Sequence, residues 1–240
     1  MTTTRSQGTQ SATTNRSKTW FTLNAASAWL GLAVSFILTS SGMYPSQSTD
    51  ASQIGYANAA GVAGVLGRTI DWLGYFTIWS NIIVGVVLTL LAINPRRDSP
   101  RLRVLRIDTL MMISITGIVY AAIIAPYVTN RGWEHVSNAL LHQITPVLTI
   151  IVFVVAGPRG WFEPKKILAA LIIPIVYVIY TLLRGAVIGA YPYSFFNVAK
   201  YGYTAVLINV VAIAVFGLIL AFIYMGIDRL IMRRRTSTAA

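Results

Sequence analysis

Six apolar stretches, each about twenty residues or longer, constrain the fold of this chain more than any other feature. About twenty helical residues cover the roughly 30 Å hydrocarbon core of a bilayer. In hydrocarbon, each backbone N–H and C=O must find its partner within the protein, which favours helices. The sequence therefore predicts an all-α, polytopic membrane protein, a bundle of six transmembrane helices. The predicted spans are residues 20–39, 69–93, 107–127, 136–156, 167–188 and 201–227.

The composition fits this class of protein. Of the 240 residues, 55% are hydrophobic and only 11% are charged, and the mean hydropathy is +0.65. In soluble domains the charged fraction is usually about 25%. The chain has no cysteine, which excludes disulfides, thiolate metal sites and a cysteine nucleophile.

Basic residues are distributed unevenly between the two sides that six spans define. Both termini fall on one side, and so do fifteen of the nineteen Lys and Arg residues. The positive-inside rule therefore predicts cytoplasmic termini in a plasma-membrane protein. In a soluble protein the net charge of +12 would suggest nucleic acid as the partner. Here it is a topology signal, and we expect a membrane and no nucleic acid as the partner. The remaining basic residues are Arg68, Arg131, Arg184 and Lys200.

The predicted domain organisation is one transmembrane unit with two tails. Residues 1–19 are rich in Ser and Thr and are expected to form a disordered cytoplasmic tail. Residues 20–228 form the six-helix domain, and residues 229–240 form a basic cytoplasmic tail. Because a polar stretch precedes a first apolar run of spanning length, we expect a signal anchor and no cleavable signal peptide.

His142 is the polar residue that most clearly marks a site, because it lies inside the fourth predicted span. A titratable side chain in hydrocarbon is costly and usually faces other protein. Counting residues from the outer helix ends places His142 and Thr77 at the same depth, roughly 9–12 Å below those ends. Pro146 lacks a donor and is predicted to free the carbonyl of His142, one turn back.

Other polar residues lie at helical spacing from this pair or near it. Asn81 follows Thr77 by four residues, and Asn138 precedes His142 by four, so each pair shares one helix face. Tyr180 and Arg184 repeat the spacing in the fifth span. Each residue also has a structural interpretation: hydroxyls bond their own helix, a histidine can bridge helices, and an arginine can extend to the interface.

Several segments of the chain resemble the bacterial Pr6Pr family of membrane proteins. They are residues 75–81, with Thr77 and Asn81, residues 138–142, with Asn138 and His142, residues 157–160, and Tyr180 with Arg184. This family is similar in turn to the FAR-17a/androgen-induced-gene-1 membrane hydrolases of animals. Those six-span proteins hydrolyse fatty acid esters of hydroxy fatty acids with a Thr nucleophile and a His. The resemblance implies these roles for Thr77 and His142. Animal members carry a second His where this chain has Ala139.

The residues are consistent with a hypothesis of ester hydrolysis. A buried neutral imidazole can accept the proton of a Thr hydroxyl, which then attacks the ester carbonyl. Asn81 or Asn138 would supply oxyanion donors, and Arg184 would bind the free carboxylate of the substrate, next to Tyr180.

The alternative hypothesis is a membrane protein that binds or transports a lipid or organic anion without chemistry. A haem or metal site is disfavoured, because His135 and His142 share one helix face. We therefore expect no cofactor.

Overall fold

A computed structural model describes residues 3–42 and 50–237 of the chain, with the side chains of residues 15–42, 50–234, 236 and 237. Six helical segments in it are long and apolar enough to cross a membrane, and the described residues contain no β-strand. The predicted fold class is therefore confirmed. The α-helices are α1 (Thr3–Ser41), α2 (Val65–Trp72), α3 (Phe76–Ile93), α4 (Pro100–Val119), α5 (Glu134–Ala139), α6 (Thr145–Ala156), α7 (Pro164–Ala169), α8 (Ile172–Ile188) and α9 (Val198–Ser237).

Both terminal helices extend beyond the predicted spans. Helix α1 begins at Thr3, so residues 3–19, for which the sequence predicts disorder, are helical in the structure. Helix α9 continues to Ser237 and includes most of the predicted basic tail. Extending a helix that a membrane span has already nucleated is much easier than starting one. The cytoplasmic placement of both tails stays a prediction, and residues 1–2 and 238–240 lie outside the described residues.

The second predicted span is two helices separated by a turn. Helix α2 ends at Trp72 and helix α3 begins at Phe76, so the predicted start at residue 69 is wrong. Gly74 donates its N–H to the carbonyl of Asp71 at 2.8 Å. A Cβ at Gly74 would lie 2.9 Å from the same carbonyl oxygen, so the turn needs glycine. The sequence does not reveal this break, because residues 69–93 read as one continuous hydrophobic stretch.

Two spans contain a π turn shortly before a proline. Helix α4 continues into a π turn at Tyr120–Ile124, ahead of Pro126. Helices α5 and α6 are joined by a π turn at Leu140–Ile144, ahead of Pro146. In both turns, hydrogen bonds span five residues instead of four. Such turns are frequent at functional sites.

Helix α4 lies at the centre of the bundle and packs against α3, α6, α7 and α9. Its residues 106–116 are all buried, and its apolar side chains join two core clusters. Helix α1 packs against α3 and is tied to α6 by a hydrogen bond from Asn24 Nδ2 to Thr149 Oγ1 at 3.0 Å. Helix α8 is at the edge, and most of its surface is exposed to the membrane region. A cavity remains between α4, α8 and α9.

The contact of α1 with α3 requires Gly85, and we predict that Gly85→Ala destabilises the protein. A Cβ there would lie 2.7 Å from the Trp29 indole, and overpacking of this kind costs about 1–3 kcal/mol. Gly226→Ala is the matched control, since nothing lies within 4 Å of a Cβ at that helical position. The melting temperature in detergent should fall for the first variant and stay level or rise for the second. Equal shifts would contradict the close contact.

Candidate functional site

Thr77 and His142 are in contact where α3 begins beside the π turn of the fourth span. Thr77 Oγ1 lies 3.1 Å from His142 Nε2, and Thr77 is only 8% exposed. The sequence predicts only a common depth for these residues, and the structure adds their contact. The predicted depth of Thr77 is wrong, because Thr77 is the second residue of α3 and lies in the first helical turn.

Asn81, one turn after Thr77 on α3, connects α3 to the π turn that carries His142. Its Nδ2 donates to the carbonyl of Thr77 at 2.8 Å and to the carbonyl of Leu141 at 3.2 Å. In the π register, the donor missing at Pro146 frees the carbonyl of Leu141, and not that of His142, which an α register predicts. Both amide hydrogens of Asn81 are therefore engaged, which argues against the predicted role of Asn81 as an oxyanion donor.

The imidazole of His142 is held by an aromatic ring. Tyr120 stacks on it with ring centroids 4.0 Å apart and an interplanar angle of 23°. Asn138 Nδ2 donates to the hydroxyl of Tyr120, so Asn138 acts on this ring, where the sequence predicts contact with substrate. The Nδ1 atom of His142 is buried and makes no hydrogen bond of ordinary geometry to a described residue, although the backbone of Asn138, one turn back, interacts with the imidazole. The pair is thus a dyad without the third side chain of a catalytic triad.

Tyr193 covers the first turn of α3, and the sequence analysis assigns it no role. Its hydroxyl oxygen accepts the N–H of Thr77 at 3.4 Å, one of the N–H groups that a helix N-terminus leaves without a helical partner. Desolvation by burial raises the pKa of Tyr193, so the phenol keeps its proton and can donate it. The aromatic composition of residues 191–197 is the sequence signal that could have directed attention to it.

An apolar cavity of about 280 Å³ lies directly against Thr77. Its walls come mainly from aliphatic and aromatic side chains of α4, α8, α9 and the loop before α9. Pockets of about 300 Å³ and more with few polar groups are typical of small-molecule sites. The polar groups in the wall are Thr77, Thr116, Tyr120, Tyr177 and Tyr193.

Tyr180 and Arg184, predicted to bind substrate, do not line this cavity. The Tyr180 ring lies 5.9 Å from the Trp79 ring. Arg184 forms an ion pair with Asp71, whose other carboxylate oxygen accepts the N–H of Gly55 at 2.9 Å. The charge of Arg184 is therefore compensated within the protein, and the pair joins α8 to α2. A contact of either residue with substrate stays a prediction.

No family model, curated protein or solved structure matches the chain. The resemblance to the Pr6Pr family therefore stays a prediction. Among residues 3–42 and 50–237, no group of three or more metal-ligating side chains is present. Fold and site together define a class: a multi-pass helical membrane protein with a buried Thr–His pair beside an apolar cavity.

A mutant cycle on Asp71 and Arg184 tests whether the ion pair is structural. Both side chains are mostly buried, at 14% and 17% exposure, so removing either one leaves the other charge without its partner. We expect Asp71→Asn and Arg184→Gln each to cost about 2 kcal/mol of stability, and the double variant to cost less than their sum. Denaturant titration in detergent measures this. If Arg184→Gln raised KM for a substrate carboxylate and left stability unchanged, the binding role would be correct instead.

Proposed function

We propose that this protein is an intramembrane hydrolase of lipid esters. Its substrate is an ester in which a fatty acid is joined to the hydroxyl group of a hydroxy fatty acid. Thr77 is the nucleophile and His142 is the general base. The observation that supports this most is the distance of 3.1 Å between Thr77 Oγ1 and His142 Nε2, next to an apolar cavity. A nucleophile and its base must lie within hydrogen-bond distance. The resemblance of residues 75–81 and 138–142 to the Pr6Pr family supports the same assignment.

The first chemical step transfers the hydroxyl proton of Thr77 to Nε2 of His142 as Oγ1 attacks the ester carbonyl carbon. This requires the tautomer of His142 that carries its proton on Nδ1. The tetrahedral intermediate then expels the alcohol, which takes the proton from Nε2, and the acyl group remains on Oγ1. Water, deprotonated by the same Nε2, hydrolyses the acyl ester and restores the hydroxyl of Thr77.

The oxyanion of the intermediate would be stabilised at the N-terminus of α3. The backbone N–H of Thr77 points away from the helix, toward the hydroxyl of Tyr193. Backbone N–H groups at a helix N-terminus carry partial positive charge and favour a developing oxyanion. Tyr193 lines the cavity, and its hydroxyl would supply a second donor. These groups replace Asn81 and Asn138, whose amides are used within the protein.

The imidazolium formed in the first step would be stabilised by the ring of Tyr120. This ring is stacked 4.0 Å from the imidazole, and an aromatic face attracts a cation. No carboxylate contacts His142 among the ion pairs and hydrogen bonds of the described residues. The base is therefore oriented by packing and not by a charged partner.

The cavity favours an acyl chain as the group recognised beside Thr77. Its wall is almost entirely hydrocarbon, so burial of methylene groups would supply most of the binding energy, about 0.8 kcal/mol for each. Because Arg184 pairs with Asp71, the carboxylate end of the substrate would extend toward the membrane surface. By the distribution of basic residues, we infer a plasma-membrane location with cytoplasmic termini and this site in the outer half of the bilayer.

The apolar cavity also supports a second candidate function, the binding or transport of a lipid without chemistry. The hydroxyl of Thr77 would then be one polar contact of the ligand, and His142 would hold it in place. The hydrocarbon wall favours a neutral lipid over an organic anion. Loss of turnover with retained binding in a Thr77 variant separates the two functions.

Labelling with a fluorophosphonate tests the nucleophile. The purified protein in detergent should be modified on Thr77, and modification should disappear in His142→Ala, because the hydroxyl is weak without its base. Hydrolysis of an ester of a hydroxy fatty acid should fall by more than about 100-fold in Thr77→Val. Thr116→Val is the matched control: Thr116 is also buried and lines the cavity, but its hydroxyl bonds Ser80 at 2.8 Å.

Equal labelling in wild type and His142→Ala, or modification of a residue other than Thr77, would exclude this mechanism. No labelling and no hydrolysis by the folded protein, with lipid still bound, would support the binding function.

Tyr193→Phe tests the second oxyanion donor. The ring should keep its packing against Phe195, at 5.1 Å between centroids, and lose only the hydroxyl. We expect kcat to fall by about 10–100-fold with KM nearly unchanged, since the oxyanion exists only in the transition state. Tyr180→Phe, which removes a hydroxyl outside the cavity, should change kcat by less than about twofold. Equal effects of the two variants would exclude this role for Tyr193.

A further inference from the structure

Arg106 is a buried cation at the end of the bundle opposite to the Thr–His pair, and the described residues offer it no hydrogen-bond or ion-pair partner. It is 1% exposed, and all three of its guanidinium nitrogens are buried without a hydrogen bond to a described residue. No ion pair within residues 3–42 and 50–237 includes it. Arginine stays protonated in proteins, and a buried charge normally requires a partner.

The acidic residues of the protein do not fill this role. Asp108 is two residues further along α4, which places it on a different face of the helix from Arg106. The other acidic residues at this end of the bundle already have basic partners. These ion pairs are Asp98 with Arg103, Glu163 with Lys166 and Asp228 with Arg159.

A second guanidinium and a phenol lie near Arg106. Arg159, from the turn between α6 and α7, and Tyr224, from α9, both interact with it electrostatically. Both also lie against the ring of Phe153, which is 5.2 Å from the Arg159 guanidinium carbon and 5.4 Å from the Tyr224 ring centroid. Arg159 Nη1 is 3.7 Å from Asp228 Oδ1, which is long for an ion pair. Tyr224 shares a hydrogen bond of 2.6 Å with Ser114. The guanidinium groups of Arg106 and Arg159 thus bring two positive charges together. One carboxylate, that of Asp228 on α9, pairs with Arg159.

We propose that Arg106, Arg159 and Tyr224 form a binding site for a phosphate-type oxyanion at the end of the bundle that carries both chain termini. Guanidinium groups match the oxygens of phosphate with paired hydrogen bonds, and the bound anion neutralises the charge of Arg106. Phospholipid headgroups and inorganic phosphate share this chemistry. This proposal is independent of the ester hydrolysis.

The anion reaches the site through the turn between α6 and α7. The turn comprises residues 157–163 and contains Gly160 at φ 73°, and it is closed by the N–H of Gly160, which donates to Asp228 Oδ2 at 2.8 Å. Exposed Arg101 and Lys165 lie at the same end and attract anions to it.

The test measures the melting temperature of the delipidated, full-length protein in a neutral detergent and phosphate-free buffer. The probes are dioctanoyl phosphatidic acid, dioctanoylglycerol, which lacks the phosphate, and inorganic phosphate. The variants are Arg106→Met and, as a matched control, Arg101→Met, which removes an exposed arginine of the same helix end. Wild type and Arg101→Met should gain roughly 5 °C at saturating phosphatidic acid. Arg106→Met should gain less than about 1 °C, and dioctanoylglycerol should shift none of them.

The outcomes identify the source of the anion or overturn the site. A response to phosphatidic acid alone assigns a lipid headgroup, and an equal response to inorganic phosphate assigns the free ion. Without ligand, Arg106→Met should be at least as stable as wild type, because it removes a buried charge. An equal response of wild type and Arg106→Met, or no response of wild type to either anion, contradicts the proposal. If Arg106→Met fails to fold, Arg106→Lys replaces it; a response as large as that of wild type would then contradict the paired hydrogen bonds.

Discussion

In hydrocarbon, a backbone group without a helical hydrogen-bond partner cannot bond to water and needs a partner within the protein. The candidate site lies where such groups occur in α3 and in the fourth span. Pro146 leaves the carbonyl of Leu141 without a donor, and the amide of Asn81 reaches across from α3 to supply one. The same amide bonds the carbonyl of Thr77. One side chain therefore satisfies a defect of one helix and fixes the distance between the residues that carry the proposed chemistry. Asn81, which contacts no substrate in this account, is what the geometry of the Thr–His pair depends on.

Hydrophobicity predicts the number of spans. A count of residues along the helices gives Thr77 and His142 a common depth, but their contact comes from the structure alone. Hydrophobicity does not predict the break before α3, since a Gly74 turn with apolar neighbours has the same hydropathy as a helix. The π turns are equally hidden, because each proline alone indicates an α-helical defect one turn back. The ion pair of Arg184 is hidden from the sequence for another reason. Its partner Asp71 comes from a different helix, and no pattern along one helix reveals such a pair.

The buried arginines at the two ends of the bundle differ in whether a carboxylate neutralises their charge. At one end, Asp71 compensates Arg184 and is itself bonded by the N–H of Gly55, so a loop, α2 and α8 are held by a neutral network. At the other end, Asp98, Glu163 and Asp228 are paired with other basic residues, Asp108 lies on another face of α4, and no described carboxylate pairs with Arg106. An arginine thus has a structural role at one end of the bundle, and at the other end an arginine is the basis of the proposed anion site. In hydrocarbon, the difference is decided by whether an acidic side chain lies within reach.

No described side chain forms a hydrogen bond with Nδ1 of His142, and this limits the rate expected of the proposed reaction. A catalytic triad selects the useful imidazole tautomer with an acceptor side chain at this atom, whereas here Tyr120 and Asn138 fix the plane of the ring. A Thr–His dyad held by packing is expected to be slower than a triad held by a charged or hydrogen-bonding third residue.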